Sequence, residues 1–300
     1  MGTVKVAAAQ LGPASADKAE TISRIAALID EAGSKGVQLV VFPELALSPY
    51  FASKVREDAE SFAETSFPSQ ETAPIIEAIR RNNITTVIPF AEMTPEGLYN
   101  SAALLDGSGQ DLGRYRKMHI PGTVEPSPEK HRSGLEKRYF LPGNLGFPAY
   151  ASPVGPVGMA ICYDRRFPET FRCLGLSGAE IYAVVFNTPY NQAEDNARAK
   201  SIESHELAVR CAASYNGIPA IAAGKAGVEG GLPFIGASSV ISHTGDVLAR
   251  STSDGDDLVV AEIDFAAAAE ARVRLDLAAN RRSDQYSAIT ADYSLAESLS

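Results

Sequence analysis

The apolar positions of this chain change period several times, and each change marks an element. The opening VKVAAAQL is a short β-prone run. Over 17–35, Ile22, Ile25, Leu28 and Ile29 recur at three- and four-residue spacing and the pattern ends near Gly33, which predicts strand followed by amphipathic helix. VQLVVFPEL is almost unbroken in apolar character, as a strand covered on both faces would be; residues 70–82 again fit a helix, and ITTVIPFAE a strand. From 99 to 117 the rhythm differs. YNSAALLD, the turn-rich GSGQD and LGRYRK predict a hairpin with no helix between, so the sheet is expected to be mixed. Beyond it PVGMAICYD, AEIYAVVFN, IPAIAAGKAG, SSVISHTG and DLVVAEID have strand character, with helices over FPETFRCLGLSG and about 194–215.

The pattern is that of an α/β protein. Residues 119–148, rich in Pro and Gly, predict a long irregular stretch of the kind that lines binding pockets. Neither a short repeat, a Gly/Ser linker nor a charge run divides the chain, which is expected to form one domain over 1–275 and a C-terminal tail over 276–300. That tail holds too few apolar residues to form a core alone, and packing at a subunit interface is the expectation.

Composition narrows the function. With 45% hydrophobic and 21% charged residues the chain can bury a large core, which excludes a disordered or fibrous protein. Asp and Glu number 37 against 27 Lys and Arg, and the net charge of -10 repels phosphate backbones and anionic lipid headgroups, so neither nucleic acid nor a membrane is an expected partner. The start lacks a charged segment leading into an apolar one, and nowhere do about 18 apolar residues run together. Three scattered cysteines suggest neither a disulfide framework nor a zinc site; a reducing cytoplasm fits, and no metal or organic cofactor is expected.

Three positions carry candidate chemistry. Cys162 ends an apolar run and precedes YDRRFPE, so it sits where a strand opens into a turn and helix; there it is either a nucleophile near helix N–H groups or a small buried hydrophobe. Cys173 and Cys211 lie on helical patterns and fit packing roles. Glu44 follows VVFP at the end of a buried strand, the edge where α/β sheets place ligands, and suits a general base or a salt-bridged acid. Lys117 ends the second hairpin strand and suits either oxyanion stabilisation or a solvated edge position.

Taken together, FPEL, GRYRKMH and ICYDRRFPE, in that order, resemble the carbon-nitrogen hydrolase (nitrilase) superfamily over nearly the whole chain. The resemblance implies a four-layer α-β-β-α sandwich with mixed sheets and a triad of Glu44, Lys117 and Cys162. Glu136, in LEKRYFLPG, matches a second acid thought to position the lysine and the substrate. FNTP, with Asn187 and Thr188, and the segments AAGKAG and GASSVISHTGDVLA match the pocket wall and last core strands.

HRSGLEKRYFLPGNLGFPAY and ICYDRRFPE are most similar to N-carbamoyl-D-amino-acid amidohydrolases, which implies that Arg165 and Arg166 grip a substrate carboxylate. His119 and Tyr163 join Arg165, Arg166, Asn187 and Thr188 as expected substrate-binding residues. Two positions depart from that pattern, Tyr163 where Asn is usual and Gly134 where His is usual, and both bear on pocket shape. The implied reaction converts an N-carbamoyl amino acid, D by resemblance, and water to amino acid, ammonia and carbon dioxide through a cysteine-bound intermediate. The alternatives are an amidase or another carbamoyl hydrolase acting without an α-carboxylate, and, from another class, a catalytically silent binding or assembly protein. Arg166 has a structural alternative too, pairing with Asp164. A homodimer or homotetramer acting on a small molecule is expected.

Overall fold

Strand β1 (Thr3–Gln10) turns Val4, Val6 and Ala8 to one side and Ala7 and Ala9 to the other. Both sides are buried from Val6 onward, so the strand needs cover on each face. The computed structural model, which describes residues 2–126 and 134–291, shows what supplies it. His131 and residues 292–300 of the expected tail lie outside the described residues.

Helices α1 (Lys18–Ser34) and α2 (Ala73–Asn82) cover the first face. Ile22, Ile25 and Ile29 of one and Ile75 and Ile79 of the other pack with Ala7, Ala9, Val40 and Ile88. Asp17 starts α1 by accepting from Ala19 N at 2.9 Å. Asn83 ends α2 in the left-handed conformation that closes many helices.

The second face meets another sheet. In the first sheet β15 (Asp257–Asp264), β1, β2 (Leu39–Val41), β4 (Thr85–Thr94), β5 (Gly97–Leu105) and β6 (Asp111–Arg116) lie side by side, with the two-residue β3 (Ala63–Glu64) on β4. The second runs β14 (Val247–Arg250), β13 (Ser239–Ile241), β10 (Ala220–Gly224), β9 (Ile181–Phe186), β8 (Val157–Ile161) and β7 (Ala149–Tyr150). Both have three parallel strands at the centre, β1, β2, β4 and β8, β9, β10, flanked by antiparallel ones. Val6, Leu39, Val41 and Val87 face Met159, Ile161, Val185 and Ile221 between the sheets. The far face of the second sheet, with Tyr182, Val184 and Phe186, packs on Phe171 and Leu174 of α4 (Pro168–Leu176) and Val209 and Ala213 of α5 (Ala197–Asn216). The result is a four-layer α-β-β-α sandwich with mixed sheets.

Local chemistry explains where the strands fall short of their apolar runs. VQLVVFPEL is a strand only over Leu39–Val41, because Pro43 has no N–H to give and Leu45 takes φ +49. IPAIAAGKAG breaks after Gly224, and β11 (Ala226–Glu229) pairs instead with β12 (Leu232–Ile235) in a separate hairpin. Helix α6 (Phe265–Leu275) buries only Phe265 and Ala268, so its alanine-rich segment shows no broad apolar stripe. No residue of the short helices α7 (Leu277–Asn280) and α8 (Ser287–Thr290) is buried.

Candidate active site

The ends of the central parallel strands bring the chemistry together, as the edge geometry of α/β sheets favours. Glu44 follows β2 by three residues, Cys162 follows β8 directly, and Asn187 follows β9. Lys117 arrives from the other direction, at the end of β6, where its N–H donates to Asn100 O at 2.8 Å. Glu136 opens the single-turn helix α3 (Glu136–Tyr139).

Cys162 holds φ +50, a conformation that costs a residue with a Cβ about 1–2 kcal/mol. Asp164, two residues on, braces the turn. The buried Asp164 carboxylate accepts from Ile161 N (3.0 Å), His119 N (3.0 Å), His119 Nδ1 (2.8 Å) and the Tyr115 hydroxyl (2.8 Å). Arg165 Nη1 donates to Cys162 O at 2.6 Å and lies 3.5 Å from Sγ, while its Nη2 reaches Thr188 Oγ1 at 2.8 Å. Asp164 therefore does not pair with Arg166, which is exposed and donates to Ser204 Oγ at 2.9 Å.

Beside the thiol stands a buried cluster of charges. Lys117 Nζ donates to Glu44 Oε1 at 2.8 Å and to Glu136 Oε2 at 2.6 Å, and all three side chains are buried. Asn100 Nδ2 also donates to Glu44 Oε1 at 2.8 Å, and Asn187 N–H to Glu44 Oε2 at 2.8 Å. The Tyr50 hydroxyl donates to Glu136 Oε1 at 2.8 Å.

Burial opposes the Lys117 ammonium, yet the charges of Glu136 and Glu44 outweigh it and the pKa is raised, so the cation is retained. Burial pushes the Glu136 carboxyl up, with Lys117 pulling against it. Burial also pushes the Cys162 thiol up, followed by the Glu44 charge, while Lys117 and Arg165 pull it down. The resting sulfur is thus a thiol close enough to a carboxylate to feel its charge. Such a pair can transfer a proton, and the neighbouring cation can stabilise an oxyanion.

Of the residues expected from sequence, Glu44, Lys117, Glu136, Cys162, Arg165, Asn187 and Thr188 converge. His119 lies a layer out, its ring stacked on Phe167 at 3.7 Å between centroids. Tyr163 is 37% exposed and meets Phe167 edge-on. Cys173 and Cys211 are partly buried on α4 and α5. Tyr50, Asn100 and Tyr115 were not legible as site residues, for nothing in their spacing distinguishes them from packing residues. Among the described residues no group of three or more His, Cys, Asp or Glu could hold a metal ion, and no helix is long and apolar enough to cross a membrane.

The carbon-nitrogen hydrolase family model matches residues 5–273. A citrullinase of Francisella tularensis is 29% identical over 98% of this chain and 100% of its own. A nitrilase of Pyrococcus abyssi is 32% identical over 94% and 99%, and an N-carbamoylputrescine amidase of Oryza sativa 30% identical over 94% and 93%. Among solved structures, a carbon-nitrogen hydrolase from Helicobacter pylori G27 superposes with a TM-score of 0.88 at 27% identity, covering 97% of this chain and 100% of that one.

Proposed function

This chain belongs to the carbon-nitrogen hydrolase family, and from that premise we propose that it hydrolyses the carbamoyl C–N bond of N-carbamoyl amino acids, with Cys162 as nucleophile. The observation that carries the reading is the buried Glu44–Lys117–Glu136 cluster beside a thiol whose pKa burial has raised. Glu44 takes the thiol proton as sulfur attacks the ureido carbonyl, and Lys117 with a backbone N–H after Cys162 stabilises the oxyanion. The leaving nitrogen departs with a proton from Glu44, which then activates water against the thioester-type intermediate. One water in gives amino acid, ammonia and carbon dioxide out. The names citrullinase and N-carbamoylputrescine amidase support a carbamoyl substrate.

Arg165 and Arg166 are assigned the substrate carboxylate because they are the guanidinium groups on the 3-10 turn that the thiol opens. Preference for the D enantiomer is part of the proposal, as are the homodimer or homotetramer, the boundary near 275 and the cytoplasmic location. Exposed Leu176, Leu207 and Tyr215 on the outer helices α4 and α5 support assembly. One observation favours an amidase instead: in this structure both η nitrogens of Arg165 are already held, by Cys162 O and Thr188 Oγ1.

Ammonia release from N-carbamoyl-D- and L-amino acids, N-carbamoyl amines and simple carboxamides, in wild type and Arg165→Leu, separates the readings. The proposal expects the variant to lose about 2–5 kcal/mol of transition-state binding on carboxylate substrates and little on neutral amides. Equal loss on both makes Arg165 structural and the amidase the better reading. Stoichiometric alkylation of Cys162 by iodoacetamide, with protection by substrate, argues against a silent scaffold.

A further inference from the structure

We propose that Tyr50 is a positioning residue for Lys117, acting through Glu136, and that the buried Lys225–Glu229 pair anchors Tyr50 from its other end. The inference rests on the hydrolase reading of the site but not on any particular substrate. Lys225 follows β10 and is buried; its Nζ meets Glu229 Oε1 at 3.0 Å, Glu229 Oε2 at 2.9 Å and Ser48 O at 3.3 Å. The hydrolysis above uses neither group. Glu229 in turn accepts from Tyr50 N–H at 2.6 Å and Ala14 N–H at 2.6 Å, so one carboxylate pins the loops after β1 and after Glu44 to the β11–β12 hairpin.

A buried ion pair is weak evidence of stabilisation, since desolvation offsets much of its attraction. Geometry is the better account of this one. Tyr50 is fixed at three places: its N–H by Glu229, its ring edge-on to Phe234 of β12 at 5.8 Å, and its hydroxyl on Glu136. Through Glu136 the same line reaches Lys117 and Glu44.

The physical role follows from the bond at Glu136. A phenol donating to a carboxylate favours its charged form, here against burial, and charged Glu136 holds Lys117 where an oxyanion would form. The groups facing Glu136 are Lys117 from the end of β6, Tyr50 and Glu44 from the loop after β2, and Cys162 from the end of β8; on its own helix Arg138 turns away to Glu125.

The test is Tyr50→Phe, read with an amide substrate and with p-nitrophenyl acetate, whose acylation of Cys162 releases nitrophenol whatever the natural substrate is. A Cys162→Ala control subtracts background ester cleavage. The expected result is a fall of about tenfold in kcat with KM within about twofold, and an acid limb displaced to higher pH, since Glu136 then protonates earlier. In a Glu136→Gln background Tyr50→Phe should add nothing further. Difluorotyrosine at position 50, a stronger donor of the same shape, should move the limb to lower pH and covers the case of a poorly folding Phe variant. An unmoved acid limb in both variants, or an undiminished Tyr50→Phe effect in the Glu136→Gln background, overturns the proposal. Ester cleavage without turnover of any amide or carbamoyl substrate would instead count against the substrate reading alone.

Discussion

Two side chains show how much a single buried group decides. Cys162 is held at a left-handed φ by contacts around the buried Asp164, and its thiol needs the neighbouring Glu44 as base because burial disfavours the thiolate. In the proposed mechanism Cys162→Ala, Glu44→Gln and Lys117→Ala should therefore each reduce kcat by at least about 100-fold while circular dichroism stays unchanged, since groups acting as a unit fail together. His205 is the second. It is fully buried against Phe186, neither ring nitrogen has a hydrogen-bond partner, and burial, with Arg165 and Arg166 adding, holds its pKa well below the usual histidine value. The folded protein keeps it neutral, whereas the unfolded chain takes a proton below about pH 6.5. Its contribution to stability is thus present above that pH and lost on acidification, by up to about 1.4 kcal/mol per pH unit. Glu136 works the other way, for a carboxyl raised in the fold favours the folded state at low pH. Unfolding free energies from urea titrations at pH 7.5 and 5.5 should differ less in His205→Leu than in wild type, by about 1 kcal/mol; equal differences would refute the assignment.

At the scale of elements, the loop after α3 is fitted to the strand that delivers Lys117. Gly143 N–H donates to Lys117 O at 2.8 Å, and a Cβ on Gly143 would lie 2.2 Å from Arg116 O. Main chain cannot yield as a flexible side chain does. Gly143→Ala should displace the end of β6, lowering stability by about 1–3 kcal/mol and kcat with it, as melting curves and steady-state rates would show. The apolar pattern could not foretell such an approach, because a glycine in a Pro- and Gly-rich stretch looks the same whether it is needed for turning or for closeness. It did foretell α1, whose Ile22, Ile25, Leu28 and Ile29 are all buried in the first core. It overran β2, where Pro43 and the turn at Leu45 end the ladder that the apolar run would otherwise continue.

Over the whole molecule, the two sheets meet in one apolar layer, and the site lies where their strand ends come together. Ile161 belongs to that layer and is fully buried immediately before Cys162. Ile161→Ala should cost about 2–5 kcal/mol in chemical denaturation, through lost transfer energy and the cavity left behind. An exposed apolar residue such as Val273, 78% accessible on α6, should tolerate the same change within about 0.5 kcal/mol. A loss of similar size at both positions would contradict the layered core.

The sequence by itself determined the alternation of strand and helix, the mixed sheets, and the candidates Glu44, Lys117 and Cys162, to which the family resemblance added Glu136. Period along the chain reports which faces are buried, and the residues around the reactive positions are themselves contiguous. Only the tertiary structure decided which charges share a proton network. Tyr50, Asn100 and Glu229 reach the site by bonds spanning 86 residues to Glu136, 56 to Glu44 and 179 to Tyr50. A hydrogen bond depends on distance and direction in space, and no spacing along the chain encodes either until the two sheets have packed.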